Sequence, residues 1–232
     1  AGFVSYDDFI ETDPETNKQS DFYNYDITSS KKLIVMYRNT GKIIWDMESK
    51  LGFRHSAIVV WDDKLFCIDR LPDPVYNTLK RRGEEYSSGD VATLYAYDLT
   101  NGNLVWSDKE NIFGTWLGYS KEHDILIQAT RSSRDMLREE PGKGMKAYRA
   151  KDGKILWSLD ITYGGPIMLH DETIITDRYA YDLLTGEQKM REDPITGEET
   201  PWEFKRNYGC NYVLASEHLL TFRSAAAGFF DL

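Results

Sequence analysis

One pattern recurs four times along the chain and constrains its fold more than any other feature. Each copy has an apolar or aromatic run, a short polar turn ending in glycine, and a return run that in three copies closes on tryptophan. The copies span residues 33–45, 95–106, 145–157 and 178–190. Aligned on Gly41, Gly102, Gly153 and Gly186, three of the four carry Ala-Tyr six and five positions earlier, at Ala96-Tyr97, Ala147-Tyr148 and Ala180-Tyr181. Asp98 and Asp182 stand four positions before their glycines, and Trp45, Trp106 and Trp157 four positions after theirs. The fourth copy has Met190 in that place, but a second Thr-Gly at Thr196-Gly197 leads into Trp202. That copy reads as a hairpin with an enlarged loop.

The motif has the chemistry of a β-hairpin. Alternating apolar residues make the period-2 face of a half-buried strand. Asn-Gly, Asp-Gly or Thr-Gly supplies the positive φ that a tight reversal needs. An Asp before the turn accepts backbone N–H bonds in the loop. The closing Trp lies on the return strand, where its ring can pack between neighbouring sheets.

A fainter hairpin precedes each later copy, turning at Asp62-Asp63, at 121–124, at 170–172 and at 216–218. Two hairpins per unit make four antiparallel strands per unit. Successive motif glycines are 61, 51 and 33 residues apart, which suits four-stranded blades with insertions of variable size. The expected fold is therefore all-β: a β-propeller of four-stranded antiparallel blades, about four of them, with the ring incomplete. The whole chain, 1–232, is expected to form one partial propeller domain. Its approximate blades are 1–51, 52–113, 114–163 and 164–208, with the start of another at 209–232. An insertion after Leu71 suggests one short helix near residues 75–82, stopped by Gly83. Both ends read as cut, so the chain is expected to be a piece of something longer, and no signal peptide lies in it.

Composition narrows the function. With 28 basic and 38 acidic side chains the net charge is -10, against the cationic footprint that nucleic acid or anionic lipid requires. No apolar run approaches the roughly 18 residues of a membrane span. Cys67 and Cys210 stand in apolar strand contexts, as buried thiols or as partners in a disulfide. Neither sits in a CxxC or a Cys/His spacing suited to zinc, and no metal site is expected.

The Ala-Tyr-Asp-x-x-Thr-Gly-x-x-x-Trp pattern resembles the PQQ-like repeat of quinoprotein-type β-propellers, over residues 31–232. That family includes pyrroloquinoline quinone alcohol dehydrogenases and non-catalytic outer-membrane assembly propellers. Stretches at 52–57, 113–117, 208–211 and 219–228 look like a bacterial branch without assigned activity. The resemblance implies an exported, extracytoplasmic protein, periplasmic or secreted.

Propeller ligands usually sit at the axis, where each innermost strand begins. Glycines seven or eight residues after the closing Trp mark that point: Gly52, Gly114, Gly164 and Gly209. The candidate ligand-binding residues there are Arg54, His55, Trp116, Cys210 and Asn211, joined by Arg131, Arg206 and Arg223 as partners for carboxylates. No catalytic residue is assigned. His123, His170 and His218 fall in turn tips and read as solvated. The leading expectation is a non-catalytic scaffold or binding module for a small-molecule or protein ligand. The rival is a pyrroloquinoline quinone-dependent dehydrogenase with part of its site on other blades. It would use Trp116 as platform and the arginines for the quinone's carboxylates. The adjacent-cysteine pair of those dehydrogenases is absent here, and no Asp or Asn cluster recurs as a calcium cage would need.

Overall fold

The structure, a computed structural model, describes residues 29–71, 91–130, 143–164, 166–176, 178–203, 214–222 and 228–231. The segment expected to form the short helix, and the candidates Arg131, Arg206, Cys210, Asn211 and Arg223, lie outside the described residues. Among those described, every regular element is a β-strand, and the strands form antiparallel sheets. The chain divides into two compact units, Ala1–Leu117 with Leu137–Glu139 and Gly118–Met136 with Glu140–Leu232.

In the first unit, β1 (Ser29–Met36), β2 (Ile43–Trp61), β3 (Lys64–Asp69), β4 (Thr93–Asp98) and β5 (Leu104–Asp108) make one sheet in chain order. Strand β2 is 19 residues long because it serves two partners in turn. Its first part pairs with β1, setting Val35 opposite Trp45, and its last part pairs with β3, setting Ile58 opposite Cys67. Phe53 stands opposite Ser30 on one side and Asp69 on the other. The strand that closes one hairpin thus runs on as the first strand of the next four-stranded set, β2–β5. Leaving one ladder for another frees three amides of β2. The buried Asp69 carboxylate accepts from all of them, Lys50 N at 2.8 Å, Leu51 N at 2.9 Å and Gly52 N at 2.6 Å. Charge-assisted bonds of this kind hold the bend where the backbone has no strand partner.

The second unit opens within β6 (Trp116–Ser120), which forms a four-stranded meander with β7 (Ile125–Ala129), β8 (Lys143–Arg149) and β9 (Lys154–Thr162). A shorter set follows: β10 (Met168–His170), β11 (Thr173–Ile175) and β12 (Ala180–Asp182). Its return leg is interrupted at Lys189, where the hairpin β13 (Met190–Glu192) and β14 (Glu199–Pro201) is inserted. The chain rejoins at Trp202: Lys189 N donates to Ala180 O, Trp202 N to Lys189 O, and Ala180 N to Trp202 O. The expected enlarged loop is therefore a small hairpin of its own. Last come β15 (Leu214–Ala215), β16 (Leu219–Phe222) and β17 (Gly228–Asp231), again antiparallel.

The motif turns share one geometry. Gly102 N donates to Asp98 O at 2.8 Å, and Gly186 N to Asp182 O at 2.8 Å. The inserted turn repeats it, with Gly197 N on Asp193 O at 2.8 Å. The Asp side chain accepts from later groups each time: Thr100 N and Oγ1 at Asp98, Leu184 N, Thr185 N and Thr185 Oγ1 at Asp182, Ile195 N and Thr196 N at Asp193. This is the Asx-turn economy expected of Asp before a glycine with positive φ. The first copy has Tyr37 in the Asp position and keeps only the backbone part, Gly41 N on Tyr37 O at 2.9 Å.

The closing tryptophans do what the motif leads one to expect. Trp45 Nε1 donates to Leu99 O at 2.8 Å, and its ring lies where a Cβ on Gly102 would stand, 2.9 Å away. Trp157 repeats the contact with Leu183 O at 3.0 Å and with Gly186. A ring from one hairpin thus seals the turn of the next four-stranded set. In the first unit it joins a core of Leu33, Phe53, Leu65, Cys67 and Tyr97. Each set is also bolted internally, inner turn to outer turn. Leu99 N donates to Asp63 O at 2.7 Å, Ala150 N to Asp124 O at 2.8 Å, and Leu183 N to Glu172 O at 3.0 Å.

Candidate functional site

The inner turns of the second unit form its most built surface feature. Three of them come from successive strand sets: 121–124 between β6 and β7, 171–172 between β10 and β11, and 216–218 between β15 and β16. Asp124 and Asp171 take positive φ, 51° and 47°, which lets each chain reverse in few residues. Asp124 is pinned by Tyr119, whose hydroxyl donates to Oδ1 at 3.1 Å, and by Lys151 N on Oδ2 at 3.1 Å. The bonds from Ala150 N to Asp124 O and from Leu183 N to Glu172 O hold the first two turns at fixed places.

The turns converge on a cleft of ≈ 660 Å³ lined by Glu122, His123, His170, Glu172, Glu217 and His218, with Lys189, Thr173 and Trp202 also on its wall. An adjoining hollow of ≈ 650 Å³ shares Glu122 and Asp171 with it and is walled further by Tyr119 and Leu169. His170 Nε2 donates to the Glu217 carbonyl at 2.7 Å, tying the second turn to the third. His123 Nε2 stands 3.8 Å from Glu172 Oε1, joining the first turn to the second. Lys189 Nζ donates to Thr173 Oγ1 at 2.5 Å, so this cation is engaged on the wall. Four acidic residues, Glu122, Asp171, Glu172 and Glu217, therefore line the opening, where Asp171 stands 3.8 Å from His170 Nδ1 and Glu217 4.0 Å from His218 Nε2, while Lys189 is engaged on Thr173. Both hollows fall in the size range of small-ligand pockets, about 300–1,000 Å³.

Two of the histidines correct the sequence expectation. Only His218, with a side chain 81% exposed, is solvated. His123 and His170 keep 22% and 18% of their side-chain exposure because a neighbouring turn covers each. A turn tip is solvated by itself, as at His218, but less so where the next turn reaches over it, as Glu172 does at His123 and Glu217 at His170. The available signal was positional, since all three histidines stand in or beside the inner turns of successive repeats. No group of three or more His, Cys, Asp or Glu among the described residues is placed to hold a metal ion.

The axial candidates are placed as follows. Arg54 is on β2 and 2% exposed. His55, next to it, is exposed and shares a 2.7 Å hydrogen bond with Ser30 Oγ. Trp116 begins β6 and is half-buried. Arg131, Arg206, Cys210, Asn211 and Arg223 lie outside the described residues. The described candidates do not by themselves assemble a seat for pyrroloquinoline quinone, since Arg54 offers no open guanidinium and no described donor cluster suits a calcium ion. Cys67 is a free thiol with no exposed surface, and burial pushes its pKa far up, with the Asp69 charge adding to the effect. A thiol so held is inert toward nucleophilic chemistry.

No protein-family model and no curated protein matches this chain. Solved structures do resemble it. The computationally designed Ika8 protein is 11% identical, with a TM-score of 0.51 over 86% of this chain and 52% of its own. BamB from Moraxella catarrhalis is 13% identical, with a TM-score of 0.49 over 87% of this chain and 65% of its own. A europium-containing methanol dehydrogenase is 18% identical, with a TM-score of 0.46 over 69% of this chain and 38% of its own. The chain thus spans between about two fifths and two thirds of the length of these proteins. At such identities the likeness is one of fold alone.

Proposed function

We propose that this chain, whose strands have the fold of an incomplete PQQ-like β-propeller, is a non-catalytic, exported binding module that takes its ligand in the turn cleft of the second unit. The observation that carries the reading is the convergence of three inner turns around one cleft lined by four acidic residues. Carboxylates crowded at a partly covered wall favour a cation. The ligand class is therefore a basic group, an organic amine or the Lys and Arg side chains of a partner protein. Fixed turns limit the ordering entropy lost on binding, which suits recognition by a rigid scaffold. Export follows from the family resemblance of the repeat. No helix of the described residues is long and apolar enough to cross a membrane.

The test is a titration of the chain with agmatine and with a short oligolysine peptide, following the His123 and His170 ring resonances by NMR. Saturable shifts that disappear in Glu172→Gln, while far-UV circular dichroism stays unchanged, support the cleft as the seat. Resonances that do not move at millimolar cation remove it.

The second reading is a quinoprotein-type dehydrogenase, favoured by the half-buried Trp116 at the start of β6. It needs Arg131, Arg206 and Arg223 brought to that indole.

A further inference from the structure

We infer that the turn cleft of the second unit is gated by pH: it admits a basic ligand at neutral pH, and its three histidines shut that ligand out below about pH 6. The inference rests on the reading of the cleft as a cation seat and adds what regulates it. The ionisable residues on the wall, among those described, are acids, histidines and one lysine. Of these types only histidine changes charge between about pH 5 and 8. With the rings neutral, Glu122, Asp171, Glu172 and Glu217 stand against Lys189. With His123, His170 and His218 protonated, four acids stand against four cations. The negative excess that recruits a basic group is present in one state and cancelled in the other.

Placement makes the effect local as well as summed. Three of the four acids lie close to a ring: His123 Nε2 is 3.8 Å from Glu172 Oε1, His170 Nδ1 is 3.8 Å from Asp171 Oδ2, and His218 Nε2 is 4.0 Å from Glu217 Oε2. At His170 the geometry also fixes where a proton goes. Nε2 donates to the Glu217 carbonyl, so in the neutral ring Nδ1 is the bare nitrogen, and it faces Asp171. A proton added there turns that approach into an ion pair. A carboxylate engaged by a histidinium has less to offer a ligand, so proton and ligand compete for the same oxygens.

The three histidines are not equal. His123 and His170 are partly covered, which limits the screening of their charge, whereas the His218 side chain is 81% exposed. The first two therefore carry most of the effect. The other charged groups of these turns are already placed: Lys121 lines the adjoining hollow, and the Asp124 oxygens accept from the Tyr119 hydroxyl and from Lys151 N. Lys189 is held on Thr173 in either state.

The test is isothermal titration calorimetry of the full chain with agmatine at about pH 7.5 and about pH 5.5, a range over which an amine and a guanidinium keep their charges. The expected result is binding at least about tenfold weaker at the lower pH. Near pH 6.5 binding should also release protons, read as a dependence of the heat on the buffer's ionisation enthalpy. In the His123→Gln, His170→Gln double variant, where each glutamine keeps a hydrogen-bond donor, the ratio of the two affinities should fall below about threefold, with circular dichroism verifying the fold. Equal binding at the two pH values would overturn the gate and leave the cation seat standing. Binding at neither would overturn the seat and the gate with it. Binding without proton release, or a ratio that persists in the double variant, would put the titrating groups elsewhere and likewise overturn the gate.

Discussion

Two glycines with the same backbone and different neighbours isolate the worth of a docked tryptophan. Gly41 and Gly102 both turn at positive φ, 66° and 76°. Alanine at either position costs about 1 kcal/mol for the left-handed conformation. At Gly41 that is the whole effect, because the space is empty. At Gly102 the new methyl group would lie 2.9 Å from the Trp45 ring, so the indole must move. Moving it forfeits its bond to Leu99 O, about 1 kcal/mol, and part of its burial, which for a whole Trp is worth about 3–5 kcal/mol. Gly102→Ala should therefore destabilise by about 2–4 kcal/mol against about 1 for Gly41→Ala. Urea unfolding followed by far-UV circular dichroism reads the difference as a shift in midpoint at constant slope. In a Trp45→Ala background the Gly102→Ala penalty should fall to that of Gly41→Ala, a non-additivity typical of residues in contact. Equal penalties for the two glycines in the wild-type chain, or a Gly102→Ala penalty that survives removal of the indole, would refute the reasoning.

Two further outcomes follow from single side chains. The Asp152 carboxyl sits at about 2, below the ordinary aspartate value, chiefly because Arg149 donates to it from Nε at 2.9 Å. Its contribution to stability is complete above the unfolded-state value near 4 and disappears as pH falls toward 2. A ¹³C carboxyl titration should find that midpoint near 2 and see it return toward 4 in Arg149→Gln. For Cys67, burial predicts that Cys210→Ser releases no thiol to Ellman's reagent when folded and one thiol in urea. Prompt reaction of the folded protein would contradict the buried position.

The blades were legible in the sequence because each is a run of local hairpins. Asp98 and Asp182 announce their turns within five residues, and the second Thr-Gly announced an enlarged loop before Trp202, where the structure has the β13–β14 hairpin. The closing role of Trp45 and Trp157 was equally visible, since a large ring at a fixed distance after a turn has few other uses. What stayed hidden depends on how turns from different repeats meet. His123 and His170 read as solvated because periodicity describes a turn by itself, whereas Glu172 and Glu217 reach them from the next turns. The Asp69 anchor of β2 was missed for a related reason: its partners, the amides of 50–52, are 17–19 residues away and carry no side-chain signal. The empty face of Gly41 also needed coordinates, because its sequence resembles that of the occupied turns.

The claim that the chain binds without catalysing faces its most direct test in an absorbance titration with pyrroloquinoline quinone in the presence of calcium. The account predicts no saturable uptake at high micromolar quinone. Stoichiometric uptake with a spectral change that disappears in Trp116→Ala would contradict it and establish the quinoprotein reading instead.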